Sequence, residues 1–281
     1  MNFLTKCTAA ALCVLLGLSS CENTELAPAE TAAPETELPT SNSEESASRK
    51  PLFLKKLDAR TLTYFQGGKL RKVTHSPSQY SEFEYGPNWV SSTLFINQKR
   101  EQKQTFLLND KGNCIESYLY SYDSQGITAT LQLVHEYAYD AANKLIRINR
   151  KNTPNDRKLF FYDANGDLSR VECYNASNVK TGENTYSYEL PGVARQVDHD
   201  PINTFYGIST QGEFLNVFGK TNKHLLRRYS FKNMYTNQVV DEKILYYTLN
   251  SNGYAANYTQ FDVEANVMLP GKVSYEYTTA P

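Results

Sequence analysis

This chain carries no familiar catalytic signature: Gly-x-Ser-x-Gly, a P-loop, His-Glu-x-x-His and a dinucleotide fingerprint are all missing. The chemistries that those spacings position therefore have no foothold here. Histidine is scarce, with His75, His135, His199 and His224 scattered and no His-x-x-x-His pair among them. Methionine and tryptophan are scarcer still, at 3 and 1, so the core cannot be a Met-rich helical one. No segment after residue 50 sustains a 3.6-residue period, and none is apolar enough for a transmembrane helix. There is no polybasic block either. Removing Lys6, Arg49 and Lys50 from 29 basic residues and seven N-terminal Glu from 30 acids leaves 26 against 23 in residues 51–281. A domain so near neutrality gives no electrostatic footprint for nucleic acid.

What is present is tyrosine, 21 residues beside 13 Phe, and a short recurring pattern. An Asp or Asn is followed by two residues, then Gly or Asn, one more residue, and usually an apolar one. It reads Asp163-Ala-Asn-Gly166-Asp-Leu168, Asp123-Ser-Gln-Gly126-Ile-Thr128, Asp140-Ala-Ala-Asn143-Lys-Leu145, Asn109-Asp-Lys-Gly112-Asn-Cys114 and Asn250-Ser-Asn-Gly253-Tyr-Ala255. Looser copies end at Gly68, Gly192 and Gly212. Several follow alternating aromatics, as in Tyr120-Ser-Tyr122-Asp123 and Tyr137-Ala-Tyr139-Asp140. The acid or amide opens a type I turn, and Gly or Asn accepts the left-handed conformation that closes it into a bulge. Hairpin follows hairpin.

The first fifty residues read differently. Lys6 precedes an apolar run from Ala9 to Leu18 that is too short to span a bilayer. It ends in Leu18-Ser19-Ser20-Cys21, which resembles the lipobox of bacterial lipoproteins, where the cysteine is acylated and becomes the mature N-terminus. The alternative, an ordinary cleaved signal peptide, leaves the cysteine unexplained. Residues 22–50 are Glu, Pro, Thr, Ser and Ala with almost nothing to bury, a composition that cannot offset its ordering entropy. The expected organisation is a lipoprotein signal peptide over 1–20, a lipidated acidic tether over 21–50, and a single repeat-built β domain over 51–281. Lipidation implies an outer-membrane location and a membrane partner reached through the anchor.

Turn positions recur about every twenty residues, which predicts an all-β, antiparallel meander of many short strands curled into a barrel or half-barrel. One rim should carry tight turns. The irregular stretches Thr74–Ser78, Asn97–Gln102, Asn152–Asp156 and Asn175–Gly182 should form longer loops at the other. A further hairpin is expected between Gly212 and Gly253, turning at Asn222. Asn184–Tyr188 and Val273–Tyr277 alternate aromatic and polar residues, whereas Lys243–Leu249 is apolar on both faces and reads as a covered strand. The Tyr-Asp-x-x-Gly-x-Leu units resemble the YD repeats of Rhs-type β shells, with Phe161–Arg170 the best match. Lipobox, acidic linker and degenerate YD-like hairpins together resemble a family of Bacteroidota lipoproteins of unknown function. That resemblance implies a porin-like barrel fold and supplies no active-site positions.

His199 in Asp198-His-Asp200-Pro201 could offer metal ligands, but neighbours in an extended chain point apart; a loop is the plainer reading. His135 reads as a strand residue. Asp123, Asp140 and Asp163 fit turn capping rather than a carboxylate array. Cys114 and Cys173 differ in parity from their turns and should face opposite sides of the sheet, which disfavours a disulfide. No cofactor or metal is expected, and no catalytic residue. The expected function is therefore a non-enzymatic envelope protein that binds or scaffolds through a Tyr-rich face, with Trp89, Tyr137 and Tyr139 as candidate ligand contacts for a glycan, a lipid or another envelope protein. An integral outer-membrane barrel or pore, and an envelope enzyme with an unrecognised site, are the alternatives.

Overall fold

The structure, a computed structural model, describes residues 52–199, 212–219 and 222–279. The signal peptide, Cys21 and the acidic tether lie outside the described residues, as does Asp200.

Among the described residues every regular element is a strand: β1 (Phe53–Leu57), β2 (Arg60–Tyr64), β3 (Leu70–Ser76), β4 (Gln79–Tyr85), β5 (Trp89–Ile96), β6 (Lys99–Leu108), β7 (Cys114–Tyr122) and β8 (Ala129–Tyr139). They continue as β9 (Leu145–Arg150), β10 (Thr153–Tyr162), β11 (Leu168–Tyr174), β12 (Lys180–Ser187), β13 (Arg228–Asn233), β14 (Gln238–Leu249), β15 (Ala255–Asp262), β16 (Val267–Met268) and β17 (Val273–Thr278). β1 to β15 each pair antiparallel with their sequence neighbours. β17 pairs with both β15 and β1, so the meander closes on itself as a barrel of sixteen strands, with β16 a two-residue stub beside β15. Closure removes both open edges of a long sheet.

The turn grammar is realised at the backbone. The amides of Gly112, Gly126, Asn143, Gly166 and Gly253 donate to the carbonyls of Asn109, Asp123, Asp140, Asp163 and Asn250 at 2.9–3.0 Å. Each closing residue has positive φ, between 65° and 85°. The opening side chain then accepts nearby turn amides, as Asp163 Oδ1 does from Asn165 and Asp167 at 2.9 and 3.0 Å. Asn175–Val179 uses the same geometry, with Asn178 at φ 61°. One of the looser copies departs from it: Gly212 does not have positive φ.

Strand polarity places the turns at 65–69, 109–113, 140–144, 163–167 and 250–254 on one rim, hereafter the near rim. Those at 123–128 and 175–179 lie on the far rim. The expected long loops at the far rim are not there. Thr74–Ser76, Lys99–Gln102 and Thr153–Asp156 belong to strands, and the connections are tight, as at Asn97-Gln98 with φ of 50° and 65°. Polarity misled because the outer face of the wall is polar along its length. Pro154 is tolerated where the β9–β10 register shifts between Thr153 and Arg157. The hairpin expected after Gly212 exists as β13–β14, but it turns at Asn237 (φ 58°) instead of Asn222.

Inward positions are apolar near the near rim. Leu54, Leu70, Val73, Phe83, Val90, Phe106, Cys114, Leu145, Phe160, Leu168 and Val171 form one buried cluster. The apolar residue that ends each repeat is thus the first inward residue after its turn. The residue that follows it is extra, for the register slips by one there: Arg71, Ile115, Ile146 and Ser169 are the bulged positions. These bulges overturn the parity expected for the thiols. Cys173 pairs with Lys158 and packs against the same cluster as Cys114, so both face inward; both are free thiols.

Candidate functional site

Five strands that end at the near rim close on an inward tyrosine that does a repeated job. Its hydroxyl donates to the carbonyl of the first inward residue of the adjoining hairpin: Tyr64 to Leu54 (2.5 Å), Tyr85 to Leu70 (2.9 Å), Tyr139 to Cys114 (2.8 Å), Tyr162 to Leu145 (2.8 Å) and Tyr188 to Leu168 (2.9 Å). These bonds knit neighbouring hairpins into a belt, each worth about 1 kcal/mol. Burial raises the phenols of Tyr139, Tyr162 and Tyr188, and carries Tyr85 to about 12 against the opposing effect of its bond to Leu70.

Inside the belt sit the described parts of the connection between β12 and β13, residues 188–199, 212–219 and 222–227, which pack into the near rim as a plug. Phe214, Leu215, Val217 and Phe218 join the main cluster. The Val217 carbonyl accepts from the Cys114 amide (2.6 Å) and the Tyr139 hydroxyl (3.3 Å), and Phe218 meets Phe106 edge to face. Arg60, an inward residue of β2, bonds Glu213 at 2.7 Å and lies over the Phe214 ring. Two stretches of the plug pair with each other, Asp198 N to Lys223 O and Leu225 N to Gln196 O, both 2.8 Å.

A carboxylate that the sequence pattern hid anchors this plug. Asp167, between Gly166 and Leu168, is fully buried. It accepts from the Lys223 amide (2.6 Å), the His224 amide (3.2 Å), His224 Nδ1 (2.7 Å) and Arg195 (3.0 Å). Arg195 also bonds Asp163 at 2.7 Å. An Asp–His contact at this distance is how many active sites orient a base. Here four donors from both plug stretches saturate the carboxylate, so its evident work is to clasp plug to wall. Among the described residues no three His, Cys, Asp or Glu side chains gather as a metal site. His199 lies exposed beside the Tyr254 ring.

The candidate ligand residues do not converge. Tyr137 is an inward core residue bonded to Ser117 at 2.9 Å, and Tyr139 belongs to the belt. Trp89 is on the outer wall and folds over Gly86, whose position leaves no room for a Cβ beneath the indole. Lys243–Leu249 is not covered on both faces: Leu245 is fully buried, while Tyr246 is 44% exposed on the outside.

The outer wall is studded with cross-strand ion pairs. They include Lys56–Glu276 (3.3 Å), Lys72–Glu82 (3.6 Å), Lys103–Glu84 (3.4 Å), Lys180–Glu172 (2.8 Å), Lys151–Glu116 and Arg228–Glu242. Each contributes at most about 1 kcal/mol, but together they make this face hydrophilic. On it runs a groove of about 460 Å³, crossing β3 to β7 and lined by Phe65, Arg71, Glu82, Glu84, Phe95, Arg100, Lys103 and Tyr122 among others. Arg71 lies 5.8 Å over the Phe65 ring, and Arg100 lies 6.0 Å over Tyr122. Phe95 stacks on Tyr80, with centroids 4.8 Å apart and planes 11° apart. Tyr122 reaches this face because the Asp123 turn is on the far rim, so Tyr120-Ser-Tyr122 points out while the matching Tyr137-Ala-Tyr139 points in.

No protein family matches the sequence, and no curated protein matches it. Among solved structures, the chain is similar to a porin-like protein from Bacteroides vulgatus, at 12% identity over 80% of this chain and 99% of that one, with a TM-score of 0.56. A porin-like protein from Bacteroides uniformis is similar at 15% identity, covering 81% of this chain and 95% of that one, with a TM-score of 0.57. At such identities the likeness is one of fold, and the fold in question is the closed antiparallel barrel.

Proposed function

We propose that this chain is a non-enzymatic cell-envelope lipoprotein, anchored to the outer membrane through Cys21, whose barrel binds an envelope glycan along its outer groove. The observation that carries this reading is the groove itself, where aromatic faces and hydrogen-bonding side chains alternate on one concave surface. Sugar rings offer both an apolar face to stack and hydroxyls to bond, and such a lining suits both. The inward tyrosines are occupied in the belt, so the binding surface is assigned to the outward set.

The second reading, an integral barrel or pore, draws support from the porin-like neighbours. A membrane-spanning barrel keeps an apolar band outside and a polar lumen within. Here the charges pair on the outer wall, the apolar cluster lies inside, and the plug fills the near rim; these favour a barrel tethered at the membrane.

Two measurements test the proposal. Replacing Cys21 by Ser should move the protein from the membrane to the soluble envelope fraction; retention after carbonate washing would favour the integral barrel. On a glycan and lipid array the mature chain should retain glycans, and Phe95→Ala with Tyr122→Ala should abolish that retention. Retention unaffected by both changes would place the ligand surface elsewhere, and turnover of any arrayed glycan would count against a non-enzymatic role.

A further inference from the structure

Resting on that groove as the binding site, we propose that its ligand is a linear anionic saccharide, with carboxylate or phosphate groups repeated along the chain. Within the groove both acids are already engaged. Glu84 accepts from Ser91 (3.3 Å) and Lys103 (3.4 Å), and Glu82 faces Lys72 at 3.6 Å. That leaves Arg71 and Arg100. Among the described residues neither guanidinium has a carboxylate partner; each rests over an aromatic ring instead.

A guanidinium on a ring keeps its fork of N–H donors free along its edge while the ring holds its plane in place. This is a preorganised receptor for a carboxylate or phosphate, and the bidentate geometry favours planar or tetrahedral oxyanions over hydroxyls. Two such forks in one groove define spacing as well as charge. Arg71 is on β3 and Arg100 on β6, so three inter-strand spacings separate them, about 14 Å across the wall. Phe95, on β5, offers a ring between them. A single small anion can satisfy one end only, whereas an oligosaccharide can lay one charged unit at each arginine and a sugar face on the ring between.

The experiment compares oligogalacturonates with neutral oligosaccharides of equal length, by calorimetry on the mature chain, with inorganic phosphate as competitor. The acidic chain should bind at least tenfold more tightly than the neutral one. Arg71→Gln and Arg100→Gln should each remove most of that preference, while Arg100→Lys should restore part of it. Equal affinity for acidic and neutral chains, or glutamine variants that bind the acidic chain as before, would overturn the inference and leave the glycan-binding groove standing. Displacement of the acidic chain by phosphate at equimolar concentration would reduce the groove to an isolated anion site and also overturn it. Binding of no saccharide at all would sink the groove proposal itself.

Discussion

Tyr162 and Gly166 show what one repeat does. Tyr162 ends its strand pointing inward, and its hydroxyl reaches the Leu145 carbonyl of the preceding hairpin at 2.8 Å. Tyr162→Phe removes that donor and leaves the carbonyl unpaired in a half-buried place, so the unfolding free energy should fall by about 1–2 kcal/mol. An unchanged urea midpoint would mean that the belt contributes packing alone. Gly166 has φ 85°, and a Cβ there would stand 2.5 Å from the Lys144 ammonium, which itself donates to the Gly166 carbonyl at 2.7 Å. Gly166→Val should cost about 1–2 kcal/mol, because a β-branched residue resists positive φ. Gly166→Asn should cost less. If valine and asparagine proved equally harmless, the turn would have to be closing in another way.

At the scale of the element, the plug is the part that no repeat announces. Its hold on the wall concentrates at Asp167, where a fully buried carboxylate faces Arg195, His224 and two amides. Asp167→Ala would leave those donors without their acceptor, which typically costs about 3–5 kcal/mol for a buried charge pair. The loss should be local first. Hydrogen exchange should quicken at Leu225 and at Cys114, whose amides bond within the plug and to it, before the strands far from the plug respond. Uniform acceleration across the barrel would show that plug and wall unfold as one unit. The sequence hinted at none of this, because Asp167 occupies the variable position of the repeat and its partners lie 28 to 57 residues away.

For the molecule as a whole, pH should act through inward histidines. Burial lowers the pKa of His75, with Arg60 adding to it; burial lowers that of His135, with Lys158 adding and Asp156 opposing. Below the usual histidine value the unfolded chain takes up protons that the folded chain refuses, so stability falls as pH drops below about 6.5 and is level above it. Glu213 has the opposite sign: burial raises its pKa against the pull of Arg60, so protonation at acid pH relieves a cost. Urea unfolding at pH 7.5 and 5.5 should show a weaker fold at the lower pH, and His75→Gln with His135→Gln should shrink the difference. A difference of full size in that double variant would assign the pH effect to other groups.

Local chemistry alone settled the close copies of the turn repeat and the class of fold. Asp, Asn and Gly report their backbone conformation wherever they stand, and so Asp163–Leu168 and Asn250–Ala255 were legible as hairpins before any contact was known. The inward run of Tyr186 and Tyr188, and of Tyr275 and Tyr277, was legible too, since alternation has a period of two. Closure, the plug and the groove were decided by the tertiary structure. The physical reason is register. A bulge after each near-rim turn adds one residue and swaps the faces, which put Cys114 and Cys173 on the same side against their parity. The rim on which a turn lies decides whether a Tyr-x-Tyr-Asp unit faces in, as at Tyr139, or out, as at Tyr122. Whether β17 meets β1 depends on the summed twist and stagger of all the strands, a quantity no single repeat carries.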